Sequence, residues 1–285
     1  HDRRQPIAAA CMTNHANMDI LITADRAGNI GVAILDSGKC IRHYQNENFV
    51  YPARITSLVV NAMRLYVGVS DGSMTVVSLY EIFESGLIDK AANLEDFILS
   101  RESCFMEEAG ITCLATVSAN RFMGFQEEDD ATLELGNPLE NNYIKGKKAR
   151  KLKTIATLEG HLVLAGGGDA DPTVKVLQPQ AKGIRLLTTL VGHTKSITAI
   201  QADASGRYFF TASAGDHKVI IWDGMTFKQE RVLSDLFITN IALGNNCLAV
   251  ASAKSPYVRM WSVREEDHVH AHTSSSELSD EEVAD

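Results

Sequence analysis

Residues 192–223 read GHTKSITAIQADASGRYFFTASAGDHKVIIWD, three β-type runs held between a Gly-His pair and a Trp-Asp pair. In the first run Ile197, Ala199 and Gln201 alternate with Thr198 and Ile200, and Asp203, Ser205 and Gly206 close it as a turn. Tyr208 to Thr211 opens a second run rich in aromatic and β-branched side chains, the types that suit a pleated, half-buried surface. Ala214-Gly215-Asp216 turns the chain back, and Val219-Ile220-Ile221-Trp222 follows, too short for a buried helix and bounded by turn residues. Three antiparallel strands with tight turns form a meander, which is marginal alone because its edges and faces stay open. Such a unit is expected in a stack.

The rest of the chain repeats the rhythm. Copies begin at Pro6 (PIAAACMTN, then DILITADRAGNIGVAILDSGKCIRHY from Asp19), at Arg54 (RITSLVVNAMRLYVGVSDGSMTVVSLY) and at Gly110 (GITCLATVSANRFMGFQEEDDATLEL). Others begin at Lys151 (KLKTIATLEGHLVLAGGGDADPTVKVLQP) and at Phe237 (FITNIALGNNCLAVASAKSPYVRMWSV), with GIRLLTTLVGH leading into the opening stretch. Asp71-Gly72 is a hairpin signal between apolar runs. Six copies at a spacing of roughly 40 residues, each with four short strands, predict an all-β propeller of six or seven four-stranded blades over 1–263.

The segment Gly192 to Asp223 resembles a repeat of the WD-repeat β-propeller family, with Gly192-His193 ahead of the innermost strand, Asp216 in the turn and Trp222-Asp223 ending the third strand. The resemblance implies a buried structural hydrogen-bond chain of His193, a strand hydroxyl, Asp216 and Trp222. Thr211 is the hydroxyl chosen, with Ser213 as its rival. An imidazole oriented by a carboxylate and linked to an indole N–H satisfies polar groups inside an apolar blade. Elsewhere the match thins: the last copy keeps Trp261 but has Ser262 in place of the closing Asp.

A chain of 285 residues, 45% hydrophobic, can bury a large core, and no apolar run approaches membrane-spanning length. A net charge of -9 argues against a general nucleic-acid binder. Cys11, Cys40, Cys104, Cys113 and Cys247 are odd in number with no close pair, which fits a reducing intracellular compartment, cytoplasmic or nuclear. The sequence opens on His1 rather than Met, leaving a preceding segment open.

Inserts interrupt the repeat near 84–103 and 136–150. The first has helical spacing at Leu87, Ile88, Leu94 and Ile98 and forms either a short helix or a loop carrying an outer strand. The second leads into KGKKARKLK, a basic loop of Lys145, Lys147, Lys148, Arg150, Lys151 and Lys153. Residues 264–285 form an acidic, Ser-rich tail expected to be disordered in isolation, with Ser274 and Ser279 as phosphorylation candidates ahead of acidic residues.

Chemistry is sparse. Gly166-Gly167-Gly168-Asp169 lacks the Lys-Ser or Lys-Thr of a phosphate cradle and ends a strand rather than opening a helix. His268, His270 and His272 alternate along the tail, an adventitious metal site at best. No catalytic residue, metal site or cofactor is assigned, and an enzyme is not expected.

The expectation is a scaffold presenting loops to other protein subunits. The alternatives are a ribonucleoprotein or ribosome-assembly subunit using the basic loop, and a ubiquitin-ligase substrate adaptor. Turns between second and third strands emerge on one face, and the partner-binding candidates assigned to them are Glu127, Glu128, Asp129, Asp130, Asp169 and Asp171. These predict a partner with a basic segment. The first copy starts with its inner strand and the last ends at Val263 with three, so ring closure needs cover from upstream residues or a partner-donated strand in preference to Asp267–Thr273.

Overall fold

The computed structural model describes residues 6–44, 53–84, 94–105, 109–118, 125–126, 153–154, 161–180, 183–203, 205–234, 236–244 and 247–262. Blade 1 runs β1 (Ile7–His15), β2 (Met18–Asp25), β3 (Ile30–Ile34) and β4 (Cys40–Tyr44). Blade 2 runs β5 (Ile55–Asn61), β6 (Arg64–Val69), β7 (Ser73–Ser78) and, after the six-residue helix α1 (Leu79–Glu84) and a 3-10 turn (Leu94–Phe97), β8 (Ile98–Ser103). β9 (Ile111–Ser118) opens blade 3. The chain then makes a two-residue pair, β10 (Phe125–Gln126) with β11 (Lys153–Thr154), and returns as β12 (His161–Gly167), β13 (Val174–Pro179) and β14 (Ile184–Leu190). Blade 4 is β15 (Ala199–Ala202), β16 (Tyr208–Ser213), β17 (Lys218–Asp223) and β18 (Gln229–Leu233), and blade 5 is β19 (Ile238–Gly244), β20 (Cys247–Ser252) and β21 (Val258–Ser262).

Among the described residues the fold is therefore a propeller of five blades, four of them four-stranded, in place of the expected six or seven. The copies starting at Gly110 and Lys151 are one blade: the first supplies the inner strand β9 and the second supplies β12 and β13. Ile184–Leu190 is the outer strand of that blade and pairs with β13. In the insert of blade 2, Ile98 opens the outer strand β8 instead of extending a helix. α1 lies ahead of that insert, with Ser78 Oγ accepting the N–H of Glu81 at 3.3 Å as its cap and Leu79, Ile82 and Phe83 buried. The tail 264–285, with Ser274, Ser279 and Asp267–Thr273, lies outside the described residues.

Blades meet through a repeated contact. Ile55, Ile111, Ile197 and Ile238 stand where the inner strands of blades 2 to 5 begin, and each is at most 3% exposed. Opposite lies a small residue in the second strand of the preceding blade: Ala24, Gly68, Gly166 and Ala212 in turn. A Cβ on Gly68 would come within 2.7 Å of Ile111, and one on Gly166 within 2.9 Å of Ile197. Ile55 shares a core cluster with Ala24, and Ile238 shares one with Ala212. Burying each isoleucine contributes about 1.5–3 kcal/mol. Within their own blades, Thr56, Thr112 and Thr198, the residues after three of these isoleucines, donate their hydroxyls to the carbonyls of Gly68, Gly166 and Ala212 at 3.0, 3.0 and 3.1 Å, bracing the small residues that seat the next blade. The four core clusters span blades 1 and 2, 2 and 3, 3 and 4, and 4 and 5, and among the described residues none joins blade 5 to blade 1.

The Gly166–Gly168 run is a packing device. A Cβ on Gly168 would strike the carbonyl oxygen of Ala109, and one on Gly167 would strike that of Asp171. Gly168→Ala is expected to destabilise the protein by about 1–3 kcal/mol through overpacking. A lowered urea midpoint at unchanged slope checks it.

Candidate functional site

Blade 4 brings His193, Thr211, Asp216 and Trp222 together. His193 Nδ1 lies 2.9 Å from Asp216 Oδ2, His193 Nε2 lies 2.8 Å from Thr211 Oγ1, and Trp222 Nε1–H donates to the same hydroxyl oxygen at 2.8 Å. The indole can only donate, so the threonine hydroxyl gives its own proton to Nε2, and Nδ1–H is left to donate to the carboxylate. Every proton in the chain is shared. Asp216 also accepts the N–H groups of Thr194 and Lys218 at 3.0 and 3.1 Å, tying the blade's entry loop to its turn. Ser213 stands apart, its hydroxyl donating to the Lys195 carbonyl at 3.2 Å. Gly192 lets the entry loop pass over the indole, since a Cβ there would lie 2.8 Å from Ile220 and 3.3 Å from Trp222. In blade 5, Trp261 packs partly buried against the core of blades 4 and 5.

The turns between second and third strands use their aspartates locally. Asp25 Oδ1 accepts N–H groups from Ala27 and Asn29 at 2.9 and 3.0 Å, and Asp71 Oδ1 accepts the N–H and hydroxyl of Ser73 at 2.9 and 2.6 Å. Asp171 accepts the Thr173 hydroxyl at 2.7 Å and pairs with Lys175 at 3.2 Å. Asp169 accepts the Ser196 N–H at 2.9 Å, joining the turn of blade 3 to the entry of blade 4. Both partner-binding candidates on this face are thus held in intramolecular contacts. Glu127, Glu128, Asp129 and Asp130 lie outside the described residues. Their assignment to a second-to-third turn is corrected by chain order, which puts them between the inner strand β9 and the second strand β12. Lys145, Lys147, Lys148, Arg150 and Lys151 also lie outside the described residues, in the same connection, and Lys153 begins β11.

That connection returns to the blade at a polar contact sequence reasoning missed. His161, the first residue of β12, brings Nε2 within 2.6 Å of the phenol oxygen of buried Tyr66 on β6, and Arg64 donates to the Gln180 carbonyl at 2.9 Å. Burial, and then the charge of Arg64, holds His161 below its ordinary 6.5 and so favours the neutral imidazole. Burial pushes the Tyr66 phenol up to about 12. It does the same to the Cys11, Cys104 and Cys113 thiols, which behave as small apolar groups. Among the described residues no group of three or more His, Cys, Asp or Glu side chains is arranged to hold a metal ion, and no helix is long and apolar enough to cross a membrane.

Comparison with known proteins agrees with this geometry. Residues 184–223 match the family described as WD domain, G-beta repeat. The match starts with β14, the outer strand of blade 3, and ends with β17, so the sequence repeat straddles two blades. No functionally curated protein matches the sequence. Among solved structures, a chain of "Crystal Structure of Mitotic Checkpoint Complex" is similar at 13% identity with a TM-score of 0.58, over 92% of this chain and 65% of that one. A likeness shared with 1194 solved chains establishes the fold and selects no activity. The chain carries a WD-type repeat within a β-propeller.

Two measurements probe the site. His193→Ala or Asp216→Ala is expected to cost about 1–3 kcal/mol, because buried polar partners lose their hydrogen bonds. Denaturant unfolding checks this, with any partner binding falling only in proportion to the folded fraction. His161 binds a proton more readily when unfolded, so its contribution is complete above pH 6.5 and declines as pH falls below that value. His161→Gln should flatten this part of a stability curve measured below pH 6.5.

Proposed function

We propose that this chain is a non-enzymatic scaffold, a subunit of a larger protein complex, that takes up a basic segment of a partner. The observation that carries the reading is where the two long insertions leave the blades. The connection from β7 to β8 and the one from β9 to β12 belong to adjacent blades and depart from the end where first strands turn into second and third into fourth. Tyr66 and His161 clamp the return of the longer connection onto the neighbouring blade. In chain order that connection holds the acidic run Glu127–Asp130. Charge there sets association rate and orientation more than final affinity. The turn aspartates at the other end already serve the fold. Likeness to a chain solved within a multi-protein complex supports protein partners.

The test begins with affinity capture of the intact chain from its native cells, followed by mass spectrometry, which is expected to return a subunit with a Lys/Arg-rich segment. Replacing Glu127, Glu128, Asp129 and Asp130 with Ser should slow association with that subunit and flatten its salt dependence. An unchanged association rate at low salt in a folded variant overturns the assignment. The basic run Lys145–Lys153 supports a second reading, contact with RNA. In that case a single-stranded RNA oligonucleotide would bind with a steep salt slope that disappears when those lysines are removed.

A further inference from the structure

Buried polar atoms are nearly always hydrogen-bonded, so the exceptions are informative. Among the described residues five buried side-chain polar atoms have no hydrogen-bond partner, and three of them, Arg42 Nη2, Tyr44 Oη and Thr75 Oγ1, face one interface. Tyr44 and Arg42 alternate along β4, opposite Ile30 and Val32 of β3, and those residues with Tyr44 belong to the core cluster of blades 1 and 2. Thr75 stands opposite Val67 of β6 and two residues before Val77 of β7, both in the same cluster, so it looks toward blade 1 from blade 2. The other two atoms, Ser57 Oγ and His217 Nδ1, stand singly on β5 and in the turn of blade 4.

Each of the three groups is held in place without being satisfied. Arg42 donates through Nη1 to the Ile41 carbonyl at 3.3 Å, which leaves both N–H groups of Nη2 unused. The Tyr44 ring, 6% exposed, stands edge-on to Phe97 with centroids 6.1 Å apart. Burial pushes the Tyr44 phenol up, and the guanidinium of Arg42 beside it pulls the other way. Thr75 is fully buried. Opposite Thr75 in register on β8, Arg101 adds a second positive charge to this side. Glu102 is on the other side, opposite Met74 and close to Gly183 of blade 3.

A guanidinium can only donate, and two hydroxyls beside it are free to donate as well, so the set lacks an acceptor. The acceptor that fits carries a negative charge and more than one oxygen, because charge-assisted bonds to arginine are the strong ones and a guanidinium nitrogen buried without a counter-ion is costly. β4 is the outer strand and Arg42 is only half-buried, so the place is reached from the rim.

We propose that the rim of the interface between blades 1 and 2 binds a small oxyanion, a phosphate or a carboxylate group, held by Arg42 and Tyr44 with Thr75 as a third donor from the facing blade. Occupancy ties β4 to β7 and so strengthens that interface. The site shares no residue with the acidic or basic runs of the scaffold reading and is independent of it.

The test is thermal unfolding of the full chain in chloride at constant ionic strength, with inorganic phosphate or acetate added in increasing amounts. The midpoint should rise by a few degrees and level off with at least one of them, and the anion that saturates at lower concentration names the group. Arg42→Met should abolish the rise. Tyr44→Phe in chloride alone should match or exceed the unmodified midpoint, because an unpaired buried hydroxyl has gone, and in saturating anion it should lose most of the gain. Four outcomes would overturn the proposal: no levelling rise with either anion, a rise that Arg42→Met keeps, a full gain in Tyr44→Phe, or a Tyr44→Phe midpoint that is lower in chloride alone. The last would mean that the phenol already has a partner. If Arg42→Met does not fold, as judged by circular dichroism, the two Tyr44→Phe measurements decide.

Discussion

An isoleucine pressed onto a residue with almost no side chain is the constraint on which this array is built. The inner strand of one blade can approach the second strand of the previous one only where that strand carries Ala24, Gly68, Gly166 or Ala212. A Cβ on Gly68 would also press on Ser57 at 2.5 Å, and one on Gly166 on Cys113 at 2.8 Å. The threonine that follows the isoleucine at three of the four interfaces bonds the second-strand carbonyl of its own blade, at the small residue that seats the next blade, and Thr112 also donates to the Ile197 carbonyl across the next interface. Each isoleucine lies within the core cluster of its own interface, one cluster for each pair of neighbouring blades.

The buried chain in blade 4 adds a different kind of order. Its four groups come from the entry loop, the second strand, the turn and the third strand, so forming it fixes the relative position of the whole blade. It can do so because its donors and acceptors match one for one. A fully satisfied polar network in a dry setting defines a unique arrangement, and removing one member leaves the others in deficit. Asp169 carries the same logic across a blade boundary through the Ser196 N–H.

Much of this was legible in the residues, and the misses have physical causes. The strands of blade 4 follow the apolar runs of 192–223, and the resemblance to a WD repeat pointed to Thr211 with Ser213 as its rival, an extra residue ahead of Asp216 leaving both in reach; Thr211 is the one that bonds His193 and Trp222. The blade count could not be obtained the same way. Strand periodicity reports that a run is half-buried and says nothing about which run it pairs with. The pairing of β9 with β12 crosses the connection 119–160, whose own apolar residues imitate strands. The hairpin at Ala62 and Met63 is just as opaque, since both adopt left-handed backbone conformations at φ 48° and 58° without the Asn-Gly that advertises such a turn. The Ile-Thr pairs at Ile55, Ile111, Ile197 and Ile238 were visible and would have counted the interfaces. They carry no turn chemistry, so they do not stand out among the many β-branched residues of the strands. Tyr66 and His161 carry no local signal, being brought together only by the packing of blade 2 on blade 3.

Among the described residues each cluster joins two consecutive blades, so cooperativity passes from a blade to its immediate neighbour. The array resembles a row of coupled units, in which the loss of an interior unit removes two interfaces. Blade 5 has three strands among the described residues against four in blade 4, so amide protection should rise from blade 5 toward blades 3 and 4. The polar chain of His193, Thr211, Asp216 and Trp222 sits in the adjoining blade and ties its entry loop, second strand, turn and third strand into one opening unit.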